Sequence, residues 1–88
     1  MKKAIVTVVG KDTVGIIAKV CVYLADNSVN IMDISQTIVD GYFNMMMVVD
    51  VTNAEFDKIA NGLKEVGESI GVIIRCQRED IFDKMHRI

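Results

Sequence analysis

Asp40-Gly41 divides this 88-residue chain into two halves that read alike. Both residues tolerate the positive φ that a tight two-residue turn demands, and alternating apolar segments flank them, so the pair predicts a hairpin with an antiparallel return. Before the turn, Ile31 to Val39 reads as a strand with Met32, Ile34 and Ile38 on one face and Asp33, Ser35 and Thr37 on the other, a mixed character that suits a sheet edge. After it, Phe43, Met45, Met47, Val49 and Val51 share one face, which is predicted to be core, while Tyr42, Asn44, Met46, Val48 and Asp50 share the opposite face.

A strand and a helix lie on either side of this hairpin. Lys3 to Val9 is short, apolar and β-branched, bounded by Gly10, and reads as a strand buried on both faces in mid-sheet. From Val14 to about Asn27, Ile17, Val20, Cys21 and Leu24 recur at helical spacing, with Lys19 and Asp26 off the stripe. Thr52 and Glu55 have capping-box spacing, and Phe56, Ile59, Leu63, Val66 and Ile70 form a second helical stripe, weakened at Gly62 and Gly67, that stops at Gly71. Val72 to Gln77 supplies a fourth strand, and Ile81, Phe82, Met85 and Ile88 give the segment 79–88 a short amphipathic pattern, read as a C-terminal helical tail. The order βαββαβ predicts an α+β, ferredoxin-like sandwich: a four-stranded antiparallel sheet, two helices on one face joined by right-handed connections, and the short C-terminal helix. Residues 1–88 are read as a single domain. The sheet's second face, carrying Met46, Val48 and either Ala4 and Val6 or their alternates, is too apolar to be left wholly in water and calls for a partner or the tail.

Composition removes several classes of function. The formal net charge is −2 with both signs interspersed, which leaves no electrostatic footprint for nucleic acid. No apolar run reaches the roughly 20 residues of a membrane span, and two lysines lead directly into a strand, so no membrane role and a cytoplasmic location are expected. Cys21 and Cys76 lack the paired spacing of zinc or redox motifs and are read as buried thiols. In Met45-Met46-Met47, alternation sends neighbours to opposite faces, so the run is core filling and no metal site is expected. His86 has no nucleophile beside it and takes no role.

The candidate site is the turn Gly10-Lys11-Asp12-Thr13-Val14-Gly15, between the first strand and the first helix, with Val29-Asn30-Ile31 at the helix's far end. Gly15 has no Cβ where the helix begins, so unpaired N–H groups are approachable and the helix dipole favours an anion such as a carboxylate. Asn30 offers both a donor and an acceptor. Each residue also has a purely structural explanation: Asp12 as a helix cap, Gly15 in close helix packing, Gly10 in a turn, Asn30 in organising the entry to the second strand. Lys11, Asp12 and Thr13 suffice for binding but supply no nucleophile and base, so neither catalysis nor a cofactor is expected.

Other proteins of this architecture fit poorly. A copper-chaperone module needs paired cysteines in the first loop, an RNA-recognition domain needs stacking aromatics on the first and third strands, and an acylphosphatase-like enzyme needs an arginine aimed into the loop. The chain instead resembles the ACT domain along nearly its whole length. Gly10 to Ile16 is similar to the family's G-x-D-x-P-G-[IV] turn, and Val29-Asn30-Ile31 to its G-[IV]-N-I, in the style of glycine-cleavage repressors and formyltetrahydrofolate deformylases. Val14 stands where the family usually has proline, restoring an N–H and freeing φ. Gly10 and Asp12 replace the histidine and asparagine of serine-sensing relatives, leaving Asn30 alone of those three contacts. The resemblance implies a non-catalytic regulatory module binding a small metabolite, an amino acid above all, at a homodimer interface. Its ligand would meet Lys11, Asp12, Thr13, Val14, Gly15 and Ile16 of one subunit and Asn30 and Ile31 at or near its partner, with occupancy passed to a regulated protein. Two other readings stay open: an interaction module that holds no ligand, and a small ferredoxin-like enzyme.

Overall fold

In the computed structural model, residues 2–11 and 15–79 are described. Six elements follow in the order β1 (Lys3–Lys11), α1 (Ile16–Asp26), β2 (Asn30–Val39), β3 (Tyr42–Asp50), α2 (Phe56–Ile70) and β4 (Ile73–Arg78). The sheet order is β2-β3-β1-β4 and every pairing is antiparallel, which is the ferredoxin-like βαββαβ arrangement. Of the expected C-terminal helix over 79–88, all but Glu79 lies outside the described residues.

Asp40 and Gly41 take φ of 52° and 79°, the left-handed pair of a tight hairpin turn, and this sets the β2–β3 register from Val39 opposite Tyr42. Phe43, Met45, Met47, Val49 and Val51 are all buried, as alternation predicted. On β1, Ala4, Val6 and Val8 join them beneath Val20 and Leu24 of α1 and Ile59 and Leu63 of α2. The face away from the helices carries the alternates Ile5, Thr7 and Val9. Ile5 is buried there between its cross-strand partners Val48 and Gln77, while Val9 is exposed. The strand is central as expected, but its outer end is not buried on both faces.

Four expectations need correction. The strand β1 continues through Gly10 to Lys11, and Gly10 makes a close approach, not a turn: a Cβ there would meet the Val72 side chain at 2.7 Å. The helix α1 starts two residues later than expected, so Ile16 points into the core and Ile17 does not. In β2 a bulge between Ile31 and Asp33 removes Met32 from the alternation. Ile31, Ile34, Gln36 and Ile38 therefore share the helix side, while Asn30, Asp33, Ser35, Thr37 and Val39 share the other. Finally, Glu55 is the N-cap of α2 and no side-chain cap bond forms. The Thr52 hydroxyl instead accepts the Lys2 N–H at 2.9 Å and donates to Asp50 Oδ1 at 2.5 Å, which ties the β3–α2 loop to the start of β1.

Both glycines inside α2 have packing reasons. A Cβ at Gly67 would meet the Val72 carbonyl oxygen at 2.7 Å, so the glycine lets α2 settle on the strand that follows it. At Gly62 a Cβ would collide with the Tyr23 ring of α1, whose hydroxyl donates to the Lys58 carbonyl at 3.3 Å. Gly71 closes α2 with φ of 77°, as its position after the stripe predicted.

Candidate functional site

The turn after β1 is described at its two ends. Lys11 closes β1 opposite Tyr42 and is exposed. Asp12, Thr13 and Val14, also named from sequence, lie outside the described residues. Gly15 is the N-cap of α1 with φ of 90° and ψ of 1°; its carbonyl accepts the Lys19 N–H at 3.0 Å. Among the described residues, no atom lies within 4 Å of where its Cβ would stand, so it is the backbone conformation that favours glycine here. Among the described residues, no side chain caps α1 and its first turn carries no acid. Ile16 is 2% exposed and its side chain belongs to the core.

Asn30 and Ile31 open β2 at the other end of the sheet. Asn30 is exposed and pairs with Asp50, which pairs in turn with Lys3. Ile31 is 37% exposed on the helix side of the edge. The row Lys3–Asp50 lies eight residues from the row Lys11–Tyr42, or roughly 26 Å along the strands. A single copy therefore does not bring the Gly15 end and the Asn30 end together. Beside Asn30, Asp50 Oδ1 accepts both the hydroxyl and the backbone N–H of Thr52, the latter at 2.9 Å. Those bonds hold the Asp50 carboxyl below its ordinary pKa and keep it charged.

Residues 2–77 match the ACT domain family. The chain belongs to that family. A UPF0237 protein of Bifidobacterium longum is 64% identical over 90 residues, covering all of both chains. An ACT domain protein from Streptococcus pneumoniae superposes with a TM-score of 0.83 at 43% identity, over 93% of this chain and 94% of that one. A formyltetrahydrofolate deformylase from Pseudomonas syringae shares the fold, with a TM-score of 0.80 at 22% identity, over 89% of this chain and 28% of its own length. ACT domains are regulatory modules that bind small ligands and dimerise, which is the coarse function this membership carries.

Two clefts of this ACT domain were not anticipated from sequence. One, of about 440 Å³, lies at the Asn30 end between the start of β1 and the end of β4, lined by Lys2, Lys3, Arg78 and Glu79 over Val51, Ala54 and Phe56. It adjoins Glu55 and Asp57, so neither charge sign dominates. The other, of about 380 Å³, is an apolar groove between the helices formed by Ala18, Val22, Tyr23 and Val66 with Lys19 and Ser69 at its rim. Neither was legible in the sequence, because each joins residues from elements whose relative placement is tertiary. Cys21 and Cys76 are half-buried, not fully buried as read from sequence, and burial pushes the Cys76 thiol up to about 11. No helix among the described residues is long and apolar enough to cross a membrane.

Proposed function

We propose that this ACT domain is a non-catalytic sensor of an amino acid or a closely related metabolite, with its pocket shared between two copies of the chain. The observation that carries this is the separation of the two ends of the site across the length of the sheet, in a fold that leaves β2 as a free edge. Pairing β2 with its own copy in antiparallel fashion sets the Asn30 end of one against the Val39 end of the other, the same end at which Lys11 and Gly15 lie. Ile31, Ile34 and Ile38, all exposed on the helix side of that edge, gain an apolar partner in the same step.

In this reading the backbone at Gly15 and Ile16 receives the carboxylate and Asn30 orients the remaining polar atoms. Lys11, Asp12, Thr13 and Val14 complete one wall and Ile31 the other. A thermal-shift screen of amino acids identifies the ligand, since binding to the native state raises its melting temperature. Asn30→Ala should then weaken binding by about 1–3 kcal/mol. Retained affinity in a folded Asn30→Ala protein places the pocket elsewhere.

A second reading has its own observation. Val9, Val39, Tyr42, Met46 and Ile73 are exposed on the sheet face opposite the helices, an apolar area suited to protein contact. A screen in which no metabolite shifts the melting temperature favours this interaction module.

A further inference from the structure

Beyond Asn30, the register brings a second polar group to the same end of the edge. We propose that Asp50 is the carboxylate that recognises the ligand's ammonium group, an inference that rests on the shared pocket proposed above. Asn30 and Asp50 are direct cross-strand partners, so their Cβ atoms stand about 5 Å apart on one face of the sheet. A ligand amine that hydrogen bonds the Asn30 carbonyl oxygen is then within reach of the Asp50 carboxylate.

The carboxylate is held for such a role. Among the described residues, the Thr52 N–H and the Thr52 hydroxyl both donate to Oδ1, which fixes the group, and no described donor bonds Oδ2. The charges that act on Asp50 from within the chain are the N-terminal ammonium and then Lys3, which is its partner on β1, on the side away from the β2 edge. Asn30 stands on the edge side, where a second copy and its ligand would come. The row Lys3, Asp50, Asn30 thus runs from cation to anion to amide across three strands. An α-amino acid zwitterion matches the anionic and amide members of that row, whereas a 2-hydroxy acid, which has no ammonium, satisfies only the amide.

A purely structural Asp50 would serve only the loop to Thr52, and the experiment separates the two roles. The full chain is titrated by calorimetry with the twenty amino acids and their 2-hydroxy acid counterparts. Wild type should bind an amino acid well and its 2-hydroxy counterpart roughly 10- to 100-fold more weakly, the usual loss for a hydrogen bond to a charged group. Asp50→Asn keeps an Oδ1 acceptor for Thr52 and should lose that preference by weakening amino acid binding alone. Thr52→Ala loosens the loop but keeps the charge, and should retain the preference. Equal wild-type affinity for amino and hydroxy acids overturns the inference without any variant. So does Asp50→Asn binding within about threefold of wild type while Asn30→Ala abolishes it, a result that leaves the shared pocket standing. Undiminished binding to Asn30→Ala, or no binding by any amino acid, overturns the pocket and the role of Asp50 together.

Discussion

An alanine methyl at position 67 would meet the Val72 carbonyl oxygen at 2.7 Å, and a backbone atom has no rotamer by which to withdraw. Gly67→Ala should therefore lower stability by about 1–3 kcal/mol, because the overpacking outweighs the roughly 1 kcal/mol that alanine gains in helix propensity. At Gly62 the obstacle is the far end of Tyr23, which can swing outward, so Gly62→Ala should stay within about 1 kcal/mol of wild type. Paired thermal melts check the contrast, and equal losses at both sites contradict it. Cys76 gives a second prediction at this scale. Its thiol is pushed up to about 11 against an ordinary 9, leaving roughly a hundredfold less thiolate at neutral pH. Alkylation of Cys76 at pH 8, followed by mass spectrometry, should be at least about tenfold slower in the folded chain than in denaturant.

The junction between β3 and α2 shows how elements are joined by side chains whose sequence pattern suggests another use. Thr52 and Glu55 have capping-box spacing, yet Thr52 is taken by Asp50 and by the Lys2 N–H, while Val51 N–H bonds the Lys2 carbonyl at 2.8 Å. The loop is thereby fastened to the β1 strand instead of to the helix it precedes. The hydrogen bonds from Thr52 lower the Asp50 pKa, so this contribution to stability is complete above the unfolded pKa near 3.8 and is lost as the pH falls through the lower folded value. Asp50→Ala should flatten the acid limb of the stability profile below about pH 4. Parallel acid-unfolding curves for variant and wild type would show that the junction does not depend on the charge.

For the whole molecule, the slab-like shape matters most: its extents are 35 × 35 × 19 Å, with α1 and α2 on one side of the sheet and β2 at its edge. Ile38 is 60% exposed and Ile34 also faces solvent, so lysine at both positions should leave the single-chain fold intact. If copies pair through β2, Ile34→Lys with Ile38→Lys should convert the dimer to monomer at tens of micromolar, as read by light scattering. A wild-type monomer at that concentration, or a double variant that stays dimeric, places the contact elsewhere.

The order of elements, the hairpin and most core positions were legible because each follows from local rules: period 2 on β3, period 3.6 on α2, positive φ at Asp40-Gly41 and Gly71. The turn at Gly15 was legible as a pattern of residue types at a spacing, and the same pattern named Asn30 as a candidate. The bulge at Met32, the loop bond of Thr52 and the close approach at Gly10 were not, because each is decided by a partner strand or helix distant in sequence. The site shows the same division. Sequence set Gly15 and Asn30 at opposite ends of the first helix, and the family resemblance assigned them to different subunits, but only the sheet register reveals that Asn30 is opposed by a charged Asp50. Local propensity acts along the chain within a few residues, whereas register and edge exposure arise from packing many distant residues at once.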